Sequence, residues 1–317
     1  MDRPLWGFVA RRLLGAIPLL LGVTLISFLL TVYFGPDKTW DLVGLNPTQA
    51  EVAQMREQLG YDRPLPERYV EFLLDLARLD LGHVEATGER VTEVLRRTIP
   101  VSLMLLLPGL VLGTVLALVL AMLAAWYRGR WLDRLITGVS ATGMSLSFLV
   151  IIIAFQLIFG VWLGWFPVRG WVVDDFGDYL RHIAVPTLAS VFVSLGYNTR
   201  FFRAVMVNEL SSDQVMNARA FGASPMSLMI DNVLGNALLP ILTRVMFSVP
   251  PILITGSLLI ESHFSIPGVG RVTYEAIQSG DQAVLMAVVS LSSVLYVLAL
   301  TLTDLLCRCA DPRLRPL

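Results

Sequence analysis

Few residues in this chain could do covalent, metal or nucleotide chemistry, and their spacing decides what they can do. The three histidines, His83, His182 and His263, are widely separated, and the two cysteines, Cys307 and Cys309, form a lone C-x-C pair in an Arg-flanked tail. A zinc or redox centre needs further thiolates or imidazoles at fixed offsets. No metal site is therefore expected, and the cysteines read as reduced, structurally neutral thiols. The only lysine, Lys38, follows Pro36 and Asp37 rather than closing a G-x-x-x-x-G-K-[ST] phosphate cradle. Neither H-E-x-x-H nor G-x-S-x-G occurs. No catalytic residue and no cofactor is expected in this chain, so uphill movement of a solute would draw its energy from a partner.

The elements around these residues are hydrophobic. Of 317 residues 55% are apolar and only 15% charged, too few charges to cover the apolar runs of a water-soluble domain of this size. A net charge of −1 gives no reason to expect nucleic acid. Six stretches are long enough to cross a lipid bilayer at 1.5 Å per residue: 13–34, 99–126, 135–159, 183–199, 237–260 and 284–306. The fourth is short and carries Pro186 and Gly196, so neighbouring helices would have to satisfy its backbone. The first exceeds a signal-peptide core and lacks an A-x-A site, which makes it an uncleaved span. The expected fold is all-α and polytopic, with six transmembrane helices.

Arginine placement orients these spans. Arg3, Arg11 and Arg12 form part of segment 1–12, and Arg128, Arg130 and Arg134 fill 127–134. Arg200, Arg203 and Arg219 lie in 200–236, and Arg308, Arg313 and Arg315 in the tail 307–317. Positive charge stays inside, so both termini and these connections are expected in the cytoplasm. The opposite side then holds 35–98, 160–182 and 261–283, and all three histidines as polar interface residues. The first of these loops contains Pro64 and Pro66 and mixed charge, and reads as a small folded excursion.

An ion-coupled carrier needs ionisable or ion-coordinating groups near the bilayer midplane. The spans carry almost none. Glu261 and Asp304 sit at span ends, and Arg244 can snorkel to the cytoplasmic surface. An autonomous ion-coupled carrier remains the alternative reading, through the breaks at Pro250, Pro251 and Gly256. Gln156 and Asn198 are the polar side chains that could line a translocation pathway.

Segment 200–236 is far longer than a helix hairpin requires. Ser211 and Ser212 can N-cap a short helix with Asp213 in its first turn, and Gly222 can end it in the left-handed conformation. Ser224 with Pro225 then opens a second helix. Val215, Ala218 and Phe221 or Gly222 recur at helical spacing and form a small apolar face suited to a groove in another protein. An alternative is an amphipathic helix lying on lipid, against which the scarcity of basic residues speaks.

Residues 214–240, QVMNARAFGASPMSLMIDNVLGNALLP, resemble the cytoplasmic signature of permeases of the oligopeptide, dipeptide and nickel ABC importers, of the B-subunit kind. The resemblance extends over nearly the whole chain. It includes LGYDRPLP from Leu59, Leu81-Gly82, LGWFP from Leu163, HIAVPTL from His182, ESHFSIPGVGR from Glu261, Asp304, and Asp311-Pro312-Arg313. The chain departs where many members have a basic residue in place of Phe221, and where Ser145-Leu146-Ser147-Phe148 replaces a proline and tryptophan. The resemblance implies a type I ABC importer permease fold in the bacterial inner membrane. It also implies a second homologous permease, two cytoplasmic ATPase subunits that bind ATP and Mg, and a periplasmic solute-binding protein delivering peptides or a small solute such as a nickel chelate. Asp213, Val215, Ala218, Arg219, Ala220, Phe221, Gly222 and Pro225 would form the coupling segment seated on an ATPase. Glu261, Phe264, Pro267, Gly268 and Gly270 are expected to contact the binding protein.

Overall fold

The computed structural model describes residues 5–35, 39, 48–58, 60–252 and 257–310. Arg3, Lys38, Leu59, Gly256, Asp311, Pro312, Arg313 and Arg315, singled out above, lie outside the described residues. Among the described residues the architecture is helical, with one isolated antiparallel bridge between His83 and Arg90. The helices are α1 Leu5–Phe34, α2 Gln49–Gln58, α3 Leu65–Ala77, α4 Val91–Trp126, α5 Trp131–Ser145 and α6 Phe148–Phe155. After a π-helix, Gln156–Trp162, come α7 Phe176–Glu209 and α8 Asp213–Ala220. The turn Pro225–Ser227 and a second π-helix, Leu228–Leu234, lead into α9 Gly235–Pro251, α10 Ser257–Phe264, α11 Val269–Ser279 and α12 Gln282–Ala310.

Five helices are long and apolar enough to cross a membrane: Ala10–Phe34, Val91–Trp126, Phe176–Glu209, Pro225–Pro251 and Gln282–Leu306. The pair Trp131–Ser145 and Phe148–Trp162, which meet at 104°, passes the same length and composition criterion only when taken together, as a broken span or a re-entrant loop. The sequence predicts one span over 135–159; the chain instead bends there, Leu146 and Ser147 taking extended backbone conformations. The expected fourth span, 183–199, is the middle of a much longer helix, α7. Its Pro186 leaves the carbonyl one turn back without its usual donor, as α-helices tolerate inside a bundle.

The chain divides into two compact units. One comprises residues 1–98 and 272–297. Here Asp281 caps the start of α12, its Oδ1 accepting from Val284 N at 3.1 Å, while Oδ2 accepts from Glu85 N at 2.8 Å and so pins the loop before α4. Gly82, with φ of +78°, brings that loop against Ala283.

The other unit, residues 99–271 and 298–317, is organised around α7. Small residues let backbones approach it: a Cβ on Gly196 would stand 3.0 Å from Met144 N and Ser140 O of α5, and Gly109 and Gly113 of α4 face Ser190 and Ser194. Such contacts are the main source of helix attraction where lipid leaves no hydrophobic drive. Two apolar clusters fill the rest. One gathers Ala117, Ala121, Phe202, Met206, Val215 and Val233, the other Leu105, Ile152, Val185, Ile260, Phe264 and Ile266.

Candidate functional site

The segment after α7 folds as its punctuation requires. Ser212 is extended and its Oγ accepts from Val215 N at 3.4 Å, giving α8 its N-cap. Gly222 follows with φ of +82°, a conformation that costs a Cβ-bearing residue about 1 kcal/mol or more. The return bonds Gly222 N to Arg219 O and Ala223 N to Ala218 O close the helix. Ser224 Oγ accepts from Ser227 N at 3.3 Å, with Pro225 as the first helical residue. Asn236 Nδ2 donates to Gln214 Oε1 at 2.7 Å, tying α8 to the start of α9.

The apolar face read from the sequence is turned inward in part. Val215 is only 1% exposed and packs with Met206 and Val233, and Ala218 packs against the same cluster, so these two anchor α8 rather than face outward. Asp213, Arg219, Ala220, Gly222 and Pro225 are exposed, and Phe221 is 92% exposed. Met216 and Met226 stand out beside it, more than half exposed. The sequence pattern does not single them out, although Met216, one residue beyond the buried Val215, is turned about 100° around the helix from it. Three large apolar side chains, Met216, Phe221 and Met226, are thus exposed along one short, doubly capped segment.

The base of α7 is locked by an ion pair. Arg203 presents Nε to Asp133 Oδ1 at 2.5 Å and Nη2 to Oδ2 at 2.7 Å, and Asp133 also accepts from Gly129 N at 2.9 Å. One carboxylate thus joins the turn at Gly129, α5 and α7, within the same helix that leads into α8.

Residues 261–271 form a compact knot. Glu261 has no exposed surface; its Oε2 accepts from Gly270 N at 2.6 Å and Arg271 N at 3.3 Å and caps α11, while Oε1 has no hydrogen-bond partner. Ser102 supports it from α4, accepting from Val269 N at 2.8 Å and hydrogen-bonding the carboxyl. Phe264, Gly268 and Gly270 are buried as well, and Pro267 alone of the five expected contact residues is exposed. Burial pushes the Glu261 carboxyl up to about 7, against the opposing pull of Ser102 and the two amides. A carboxyl raised in the fold favours the neutral form, so stability is full near the ordinary pKa of about 4.5 and is lost as pH rises towards 7. Melting between pH 4.5 and 7.5 should therefore show the wild type losing on the order of 3 kcal/mol more than Glu261→Gln. Parallel profiles would contradict the neutral carboxyl.

Gln156 opens the first π-helix, and both ends of its amide are engaged. Nε2 donates to Val168 O at 2.8 Å, and since a carbonyl can only accept, Oε1 must face His263 Nε2, also at 2.8 Å. His263 consequently carries its proton on Nε2. Burial and the nearby Arg169 charge hold its pKa below the usual range. Gly170 N donates to Phe264 O at 2.9 Å, so the loop after the π-helix and α10 are tied together. Asn198 is buried in α7, its Nδ2 donating to Ser194 Oγ at 3.0 Å. Gln156 and Asn198 are not joined by any bond described here. Among the described residues no group of three or more His, Cys, Asp or Glu could hold a metal ion.

Comparison with known proteins gives these features a context. Residues 113–316 match the family of binding-protein-dependent transport system inner membrane components, and residues 5–105 match the N-terminal region of such membrane components. The chain is 32% identical to a probable peptide ABC transporter permease protein, y4tP, of Sinorhizobium fredii, over 97% of this chain and 99% of that one. It is 31% identical to the probable D,D-dipeptide transport system permease protein DdpB of Escherichia coli, covering 98% and 97% of the two chains. Identity to the di/tripeptide transport system permease protein DppB of Pseudomonas aeruginosa is 30%, over 97% and 98%. In fold it is similar to a chain of the inward-facing MetNI methionine ABC transporter, with a TM-score of 0.57 at 18% identity, covering 69% of this chain and 96% of that one. The chain belongs to the binding-protein-dependent transport system inner membrane components, as a non-catalytic, membrane-spanning permease subunit of an ABC importer.

Proposed function

We propose that this permease imports peptides across the bacterial inner membrane, paired with a second related permease, driven by two cytoplasmic ATPase subunits that bind ATP and Mg, and supplied by a periplasmic binding protein. The peptide assignment is supported by the substrates in the names of its relatives. The observation that carries the coupling mechanism is the exposure of Phe221 on a capped turn, with Met216 and Met226 exposed on the same short segment: an exposed aromatic there suits a pocket in another protein. Arginine distribution supports a cytoplasmic location for that segment and for both termini. Closure of the ATPases on ATP would then move α8, and α7 and α9 with it, because Val215 and Asn236 fasten α8 to both. On the opposite face Pro267 is the exposed tip for the binding protein, held in shape by the buried Glu261 knot. Asn198 is better placed than Gln156 for the pathway, since the Gln156 amide is committed at both ends.

Phe221→Asp tests the coupling segment with little cost to the fold, since the side chain is almost wholly exposed. Tagged wild type purified from its native membrane should bring down a second permease and ATPase subunits. The variant should lose the ATPases by roughly tenfold or more and keep the permease, as expected for a charge placed in an apolar anchor. Equal recovery of the ATPases in both would remove α8 from the contact.

A further inference from the structure

Arg200, which the sequence places in a cytoplasmic connection, lies inside α7, nine residues or roughly 13 Å before its end at Glu209. Its side chain runs towards the N-terminal, outer part of the helix, as helical side chains tilt, and Nη1 donates to Met144 Sδ at 3.6 Å. Met144 stands eleven residues beyond Asp133, the residue that fastens the other end of α5 to Arg203. That is roughly 16 Å of helix, about half of a hydrocarbon layer about 30 Å thick. A thioether is a weak acceptor, and among the described residues no carboxylate pairs with this exposed guanidinium. A second arginine, Arg244 of α9, stands 5.7 Å from the ring centroid of Phe201, the residue after Arg200, and is likewise exposed and without a described carboxylate. An independent feature lies beside them. Three residues after Met144, at most about 11 Å of chain, the helix is broken: Leu146 and Ser147 are extended, Ser145, Leu146 and Ser147 are exposed, and the Ser147 hydroxyl caps no amide of α6. Non-helical backbone at membrane depth is tolerated where protein buries it or water reaches it, and this stretch is not buried by the chain itself. The exposed residues of α4 make the contrast: Val111, Leu112, Val115 and Leu116 are aliphatic, as a lipid-facing surface requires.

We infer that the break at Ser145–Ser147 lines the translocation pathway and that Arg200, with Arg244, binds the carboxylate of the passing solute there, in a peptide its C-terminal carboxylate. Naming a peptide as that solute rests on the function proposed above. A guanidinium presents paired donors that match a carboxylate, and two unpaired cations between low-dielectric walls concentrate anions. The serine hydroxyls and the open backbone of the break add the donors and acceptors that a peptide chain needs as it leaves water.

The test uses the full chain with its partners in sealed vesicles. Cys307→Ser and Cys309→Ser remove the native thiols of this chain, Ser147→Cys places one at the break with little change in size, and modification is read on this chain. Membrane-impermeant anionic and cationic methanethiosulfonate reagents are applied from each side, with and without ATP. The anionic to cationic rate ratio should exceed that for free mercaptoethanol by about tenfold or more, and should fall to the free-thiol value when Arg200→Gln and Arg244→Gln are combined. Val111→Cys, on the aliphatic surface of α4, should stay unreactive. Uptake of a peptide with a free C-terminus, supplied by the binding protein, should drop about tenfold or more in Arg200→Gln and recover in part in Arg200→Lys, with the ATPases still co-purifying. No modification of Ser147→Cys from either side would mean that lipid or the second permease covers the break, and would overturn the site. A ratio equal to that of the free thiol, or unchanged uptake when both arginines are replaced, would overturn it as well. A wild-type complex that takes up no peptide but keeps the arginine-dependent anion preference would support the anion site and overturn the peptide reading instead.

Discussion

Gly270→Ala should prevent this permease from accumulating as a folded protein. Gly270 lies in the first turn of α11, where a Cβ would fall far inside van der Waals contact of the Ser257 carbonyl carbon and the Leu258 amide nitrogen, both backbone atoms at the start of α10. Side chains can rotate away from an intruding methyl; two helix termini pressed together cannot. Separating them would also pull Gly270 N and Arg271 N from Glu261, leaving a fully buried carboxyl without its donors. Overpacking costs of about 3 kcal/mol or more are expected, and loss of the capping bonds adds to them. Gly268→Ala should act similarly, since its Cβ would strike the Glu261 carboxylate. Gly138→Ala is the contrasting case: nothing stands within 4 Å of its Cβ position in α5, and a helical Gly-to-Ala change should be neutral or stabilising by up to about 1 kcal/mol. Membrane abundance and melting in detergent read all three. Wild-type stability of Gly270→Ala would mean that α10 and α11 do not meet as described.

Arg203→Ala should destabilise the fold by roughly 1–3 kcal/mol, because it leaves a solvent-shielded carboxylate without its charged partner. Asp133 is 5% exposed, and its remaining donors would be Gly129 N and the Thr137 hydroxyl, the latter at 3.4 Å. Arg203→Lys should recover only part of the loss, since an ammonium cannot make the two parallel contacts that the guanidinium makes. Removing Asp133 as well should cost less than the sum of the two single changes, because no unpaired charge is then left behind. Additive losses in the double variant would show that the two residues act independently. If the turn at Gly129 is carried through this pair when α7 moves, Arg203→Lys should also lower the coupling of ATP hydrolysis to uptake.

The sequence made the helical, membrane-spanning character legible because hydrocarbon solvation is severe and leaves long apolar runs with arginines at one set of ends. It made the α8 turn legible because Ser212, Gly222, Ser224 and Pro225 each have a local backbone job. What it could not show was which side of α8 faces the core, since an eight-residue helix with Val215 and Ala218 on one side and Met216 and Phe221 on the other reads equally well from either direction. The 104° bend between α5 and α6 was hidden for a different reason: Ser145 and Ser147 carry no obligatory break, and the helices on either side each pack against α7, which no local pattern announces. Glu261 read as a loop residue near a span end. Its burial depends on Ser102, more than 150 residues earlier, and on glycines whose value lies in the atoms they lack. The packing of α3 on α1, where the Tyr69 hydroxyl donates to Leu21 O at 2.8 Å, was likewise invisible, because a bond from a side chain to a helix carbonyl leaves no periodic signature.

This chain should move solute only when partner ATPases act on α8. That dependence is tested most directly by reconstituting the chain alone, and the complex that co-purifies with it, into liposomes and measuring peptide uptake with ATP supplied on the side that bears α8. The chain alone should show no uptake under a proton or sodium gradient, and the complex should show ATP-dependent uptake that requires the binding protein on the opposite side and collapses with Phe221→Asp. Gradient-driven uptake by the purified chain without ATPases would contradict it and identify an ion-coupled carrier.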